Sequence, residues 1–141
     1  MYEQLGTHLA YTRCAHAGDS YLIVARLRGM TLFDHLRRGV PIPPAAIDDV
    51  DAALAYARER GLFPHDVHAK NVMVTPEGRG LVVDVSDFGQ DEPCARWDHL
   101  KCAYRWIYRP LRWTVPVPLW LLDAVRRTYQ RVRRMYRRAR R

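Results

Sequence analysis

Two short β-branched runs, residues 71–74 and 80–85, stand either side of Thr75-Pro-Glu-Gly78, and this stretch constrains the fold more than any other. Proline and glycine in a four-residue connector between such runs predict a β-hairpin. Polar residues gather at its open end. Asp66 lies five residues before Asn71, and Asp84 lies 13 after Asn71, at the end of the return strand. A carboxylate and an amide oxygen from adjacent strands suit Mg2+, which takes hard oxygen ligands and keeps several waters. A third carboxylate nearby can accept the proton of an attacking hydroxyl. Phosphoryl transfer asks little more of a protein than this positioning and charge neutralisation.

The rest of the chain supplies the frame. Residues 8–14 and 20–27 read as strands around a turn at His16-Ala-Gly-Asp19, and Tyr21-Leu-Ile-Val-Ala25 suits a buried strand. Thr31-Leu-Phe-Asp34 has the form of a capping box, which predicts a short helix to Arg38 with Gly39 as its stop. Prolines 41, 43 and 44 make a connector. A longer helix follows over residues 45–60, with Ile47, Val50, Leu54 and Ala57 on one face and Gly61 beyond its end. Residues 96–108 read as helical and 110–118 as a proline-rich loop. From Leu119 the positions Leu122, Val125, Tyr129, Val132 and Tyr136 recur at helical spacing, giving an amphipathic tail.

The net charge of +8 comes from that tail. Residues 122–141 hold nine arginines against Asp123, while the preceding 121 residues are neutral. Such a helix can dock on the body by its apolar stripe, or can hold an acidic partner, nucleic acid or an anionic membrane surface through residues 126–141. The longest apolar run, residues 115–122, is broken by prolines and falls short of the ~20 residues that cross a bilayer. Residues 1–20 lack a continuous apolar core, so no signal peptide is expected in them. Cys14, Cys94 and Cys102 are odd in number and widely spaced, as expected of reduced thiols in a cytoplasmic protein, with a membrane-peripheral position left open by the tail. Cys94, His99 and Cys102 lack the paired C-x2-4-C element of a structural zinc site.

His65-Asp66…Asn71 followed by Asp84 resembles the catalytic-loop and metal-binding motifs of the protein kinase superfamily. Upstream, Tyr21-Leu-Ile-Val-Ala25…Gly29…Leu32-Phe-Asp-His-Leu36 looks like the hinge strand and first large-lobe helix of such kinases. Downstream, Trp97-Asp98-His-Leu100 looks like the start of their central large-lobe helix, whose Asp braces the catalytic loop. The resemblance covers roughly residues 5–108. More narrowly, Asp84-Val-Ser-Asp-Phe88, Trp97-Asp-His-Leu-Lys101 and Trp106-Ile-Tyr-Arg-Pro110 are similar to small serine/threonine-kinase-like proteins of Bacillus-type bacteria.

The resemblance implies an α+β protein-kinase-like large lobe, mostly helical around a catalytic hairpin. Residues 1–28 would be a remnant of the small lobe and hinge, 29–118 the large lobe and 119–141 the basic helix. ATP and Mg2+ would be its cofactors and a hydroxyl, on a protein or a small molecule, its acceptor. Carried over by position, Asp66 is the catalytic residue, Asn71 and Asp84 hold the metal, and His65 and Asp98 brace the loop. Ala25, Leu27 and Met73 would contact adenine, and His68 and Lys70 a phosphate or the substrate. Some features depart from the pattern. His68 stands where conventional protein kinases place lysine and where aminoglycoside- and lipid-type kinases place His. A literal Asp87-Phe88-Gly89 follows Asp84-Val-Ser, but Asp84 has the family's spacing. No G-x-G-x-x-G precedes residue 20 and no lysine precedes Lys70. A pseudokinase acting as a binding module is therefore the alternative to an active phosphotransferase, and a start upstream of Met1 is a third account.

Overall fold

The computed structural model describes residues 2–18, 20–90, 94–111 and 114–139. In chain order its elements are a one-turn helix α1 (Tyr2–Leu5), strands β1 (Cys14–Ala17), β2 (Leu22–Val24) and β3 (Met30–Thr31), and helices α2 (Leu32–Arg38) and α3 (Pro44–Glu59). Strands β4 (Val72–Val74) and β5 (Gly80–Val82) follow, then a 3-10 turn (Ser86–Phe88). Helix α4 (Arg96–Ala103) runs on as a π-helical turn over Tyr104–Tyr108, and α5 (Leu119–Ala139) ends the described chain. The class is α+β, with a three-stranded antiparallel sheet in the order β3-β4-β5 and a separate β1-β2 pair.

Local chemistry sets the boundaries that the sequence predicts. Thr31 Oγ1 accepts the backbone N–H of Asp34 at 3.1 Å and donates to the Asp34 carboxylate at 2.8 Å, capping α2. Gly39 ends α2 in the left-handed conformation (φ 65°), which costs glycine nothing. Proline at the first position opens α3, where a missing N–H is no loss. The β4-β5 hairpin pairs Val72 with Val82 and Val74 with Gly80, and its turn closes through Thr75 N–H to the Arg79 carbonyl at 2.8 Å.

Helix α3 is the centre of the core. Ala46, Ile47, Val50, Ala53, Leu54 and Ala57 lie buried along one face, against Val72, Val74 and Val82 from the hairpin and Leu5, Ala10 and Tyr11 from the N-terminal segment. Burying each Val, Leu or Ile of this set stabilises the fold by about 1.5–3 kcal/mol. Polar contacts fix the orientation. Asp49 accepts from the Gly80 N–H at 2.9 Å and from Arg79 at 2.7 Å, pinning the hairpin to α3. Asp51 accepts from Trp97 Nε1 at 2.6 Å and from Lys101 Nζ at 2.8 and 3.0 Å, tying α4 to the opposite side.

The N-terminal third departs from expectation. Residues 8–14 do not form a strand; β1 begins at Cys14, and before it Tyr11 makes a lone parallel bridge to Val82. Ala10, Tyr11 and Thr12 are all buried in succession, so the two-residue alternation of a half-buried strand is lost, and the Tyr11 hydroxyl reaches the Ala53 carbonyl at 2.5 Å. The apolar strand around Ile23 and Val24 is shorter than predicted and exposed, not buried. It pairs with β1, whereas the core is assembled on α3 and β4-β5. The return strand also stops short, at Val82, although the Val83 N–H still bonds the Asn71 carbonyl at 3.0 Å. Helix α5 starts at Leu119 as expected, but its apolar stripe is not packed on the body: Val125 is 61% and Val132 44% exposed. The expected stripe position Tyr136 falls outside the described side chains.

Candidate active site

Asp66 is held in an unusual backbone state. Among the described residues it is the one non-glycine with positive φ (55°), a conformation that costs an L-residue and is tolerated best by Asp and Asn. Three neighbours enforce it. Asn71 donates from Nδ2 to the Asp66 carbonyl at 3.1 Å. Arg96, from the first position of α4, forms an ion pair with Asp66 Oδ1. His68 Nε2 lies 3.7 Å from Oδ2. Strained residues of this kind persist where surrounding contacts over-determine them, and they cluster at active sites.

The Asn71 contact also fixes its amide. With Nδ2 committed to a carbonyl, the side-chain oxygen is the atom left to serve as a ligand. On the partner strand, Val83 is bonded to the Asn71 carbonyl, so Asp84 follows directly after the cross-strand neighbour of Asn71. Asp84 Oδ1 accepts from the Ser86 N–H at 3.0 Å and the Ser86 hydroxyl at 2.7 Å; its other oxygen has no partner among the described residues. Asp87 lies one turn further on, and the Phe88 next to it is fully buried in the core.

The loop rests on α2. The Phe33 N–H bonds the Ala69 carbonyl at 2.9 Å, and the Lys70 ammonium lies 4.7 Å from the centroid of the Phe33 ring. His68 Nδ1 accepts the Lys70 N–H at 3.2 Å, which leaves His68 Nε2 turned toward the Asp66 carboxylate. His65 contributes a buried Nδ1 that has no hydrogen-bond partner among the described residues. Asp98 is exposed, with Lys101 at 3.9 Å as its ion-pair partner, and is not among the groups contacting Asp66. Of the adenine candidates, Met73 is half-buried between Thr31 and Leu81, on the sheet face opposite Val72 and Val74, which face the core. Ala25 is bonded through its N–H to the Arg13 carbonyl at 2.9 Å, and Leu27 lies half-buried beyond β2.

Residues 66, 68, 71 and 96 therefore meet, with Asp84 two residues past the end of β5. Arg96 escaped the sequence reading. The signal was there in outline, because an arginine in the first turn of a helix opposes the helix dipole and calls for an anionic partner. Among the described residues, no cluster of three or more His, Cys, Asp or Glu side chains could hold an ion. A set of one carboxylate and one amide oxygen fits Mg2+, which completes its shell with water and substrate phosphate, better than a metal that demands a full protein cage.

No protein-family model matches the chain. YrzF of Bacillus subtilis, named provisionally as a serine/threonine-protein kinase, is 32% identical over 131 residues, which is 93% of this chain and 61% of YrzF. Over most of its length the chain is similar to a kinase-like protein, and these comparisons support a kinase-like family for it. Human dual specificity testis-specific protein kinase 1 is 31% identical over 83 residues, 56% of this kinase-like chain but 13% of that kinase, and the mouse protein of the same name matches equally. The resemblance to kinase-like proteins of Bacillus-type bacteria is thereby borne out. This kinase-like chain spans about three fifths of YrzF and a small part of the mammalian kinases.

Proposed function

We propose that the chain carries the catalytic hairpin of an ATP- and Mg2+-dependent phosphotransferase of the serine/threonine-kinase-like class, which transfers the γ-phosphoryl group to a hydroxyl. The observation that carries the reading is the constrained Asp66, with its left-handed backbone, its carbonyl held by Asn71 and its carboxylate held by Arg96. Residues 29–118 then correspond to the large lobe and residues 1–28 to the hinge and what precedes it.

In this reading Asp66 receives the acceptor hydroxyl, orients its lone pair and takes its proton. Arg96 fixes one carboxylate oxygen, so the acceptor meets the other, on the side of His68. The Asn71 side-chain oxygen and Asp84 would hold Mg2+, which when bound neutralises phosphate charge. Ser86 keeps the Asp84 carboxylate in one orientation. His68, beside the carboxylate, and Lys70, two residues further along the loop, are suited to phosphate or substrate. Met73, on the sheet face turned away from α3, is suited to the adenine ring, with the backbone of residues 25–27 as its edge contact. His65, with its buried ring, is the proposed brace of the loop; the same role for Asp98 rests on the family resemblance alone, since its ion-pair partner is Lys101.

The test is thermal unfolding with and without Mg-ATP, for the parent chain and Asp84→Ala. Ligand at about 100 times its dissociation constant stabilises by about 2.7 kcal/mol, which at this size raises Tm by several degrees. The expected result is a rise that needs magnesium and vanishes in Asp84→Ala. A chain that gains nothing from Mg-ATP does not use this site for nucleotide, and the binding-module alternative then replaces the phosphotransferase.

A further inference from the structure

We propose that α5 is an in-plane anchor that seats this chain on an anionic lipid surface. The inference concerns a surface that shares no residue with the Asp66 site, although α5 touches the same helix α4 that carries Arg96, and it stands apart from the phosphotransfer reading. From Leu122 onward helix α5 largely separates basic from apolar residues. Arg126, Arg127, Arg131 and Arg134 are exposed along one side, while Leu122, Val125, Tyr129 and Val132 run along the other at spacings of three and four. That apolar side is open over much of its length: Val125, Val132 and the adjoining Met135 are exposed, while Leu122 and Tyr129 are half-buried. Its link to the body runs through Tyr129, whose hydroxyl lies 3.0 Å from His99 Nδ1 with the rings edge-on at 5.7 Å. The same helical stretch as His99 carries Trp106 and Ile107, 80% and 59% exposed. At the head of α5, Trp120 is 71% exposed.

Charge complementarity names the occupant. Nine arginines against one aspartate in the last 20 residues demand an anionic surface. A lipid bilayer uses both sides of the helix at once. The stripe enters the acyl boundary while the arginines reach up to the headgroup phosphates, each basic residue adding attraction to anionic lipid. Exposed tryptophans suit the headgroup level. At about 32 Å long, α5 can lie along such a surface, and no helix among the described residues is long and apolar enough to cross a membrane. A nucleic acid would engage the arginines and leave the stripe in water, and Tyr129 is occupied by His99 and not offered to a base. Stripe-to-stripe pairing of two copies would bring two arginine-rich flanks together.

The experiment is sedimentation of the full chain with vesicles of phosphatidylcholine alone and of phosphatidylcholine mixed with phosphatidylglycerol, across a salt series. The parent is expected to bind the mixed vesicles, to release them at high salt, and to move its tryptophan emission to shorter wavelength on binding. Val125→Gln/Val132→Gln keeps every arginine. It is expected to lose about tenfold or more in vesicle partitioning, while Tm and affinity for a single-stranded RNA probe stay at the parent's values. Should the double variant fold poorly, Val125→Gln alone, at the more exposed position, is expected to lose partitioning in the same direction. Three results overturn the proposal. One is no binding to the mixed vesicles. A second is binding that the valine substitutions leave untouched, which would make the tail a general polyanion binder such as RNA would use. The third is a dimer in light scattering that the valine substitutions convert to monomer, which would assign the stripe to a second copy.

Discussion

At the scale of single residues, Asp66 combines the chemical role proposed for it with a conformational cost, and the two can be separated. Asn tolerates the left-handed backbone nearly as well as Asp, whereas a β-branched residue does not. Asp66→Asn is therefore expected to keep Tm close to the parent while abolishing phosphate transfer to any acceptor that the parent uses. Asp66→Val should lose transfer as well but also fall by about 1–3 kcal/mol in stability. Denaturant titration beside an ATP-turnover assay distinguishes them; equal stabilities for the two variants would mean that the φ of 55° is not a constraint on the fold. Arg96 adds a second residue-scale test. Arg96→Ala frees one oxygen of Asp66 and removes the group that aims it, so turnover is expected to fall by about tenfold or more while magnesium-dependent nucleotide binding persists. Loss of nucleotide binding in that variant would place Arg96 in the nucleotide site instead.

At the scale of elements, the contact between β5 and α3 positions the whole site, because it sets where Asn71 and Asp84 end up. Gly80 is the residue that permits it: a Cβ there would collide with the Ala46 carbonyl oxygen, and backbone on both sides leaves little room to yield. Gly80→Ala is expected to cost stability at the upper end of about 1–3 kcal/mol. Gly61→Ala provides the contrast, since a Cβ at Gly61 meets nothing within 4 Å and only its φ of 72° is penalised; it should cost about 1 kcal/mol. Chemical denaturation of both variants measures the difference, and a Gly80→Ala protein no weaker than Gly61→Ala would refute the close packing. These elements also explain which parts were legible in the sequence. Thr31, Gly39, Pro44 and the Thr75–Gly78 turn act within a few residues of chain, so α2, α3 and the hairpin were readable. The family motif likewise singled out Asp66, Asn71 and Asp84, and the hairpin brings Asn71 and Asp84 to the neighbouring open ends of β4 and β5. What local pattern could not give was burial and long-range pairing. An apolar run bounded by turns reads alike whether a core covers it or not, and Ile23 and Val24 are left outside. Residues 10–12 are buried by contacts with Ala53 and Val82, far along the chain, and the Arg96–Asp66 pair spans 30 residues.

At the scale of the whole molecule, three tyrosines hold together segments that are distant in sequence, and their ionisation couples the fold to alkaline pH. Tyr11 donates to the Ala53 carbonyl, joining the N-terminal segment to α3. Tyr104 donates to the Ile42 carbonyl at 3.1 Å, and Tyr108 accepts the Ile42 N–H at 2.9 Å, joining the π-helical turn to the loop before α3. Burial pushes all three phenols above their ordinary range. A raised folded-state pKa means that the folded chain keeps protons which the unfolded chain releases once pH passes about 10. The stabilisation is thus fully present below that pH and declines as pH climbs toward the folded-state values. The expected outcome is a Tm flat around neutral pH on account of these groups and falling steadily above pH ~10. Tyr11→Phe separates this from general alkaline damage. It removes the bond to Ala53, so stability at neutral pH should fall by about 0.5–1.5 kcal/mol, yet one group that titrates on unfolding is gone and the alkaline decline should be shallower. Circular dichroism melts of parent and Tyr11→Phe across the pH series decide the matter. An alkaline slope unchanged by the substitution would mean that Tyr11 is not coupled to global unfolding, and that the N-terminal segment opens before the core on α3 gives way.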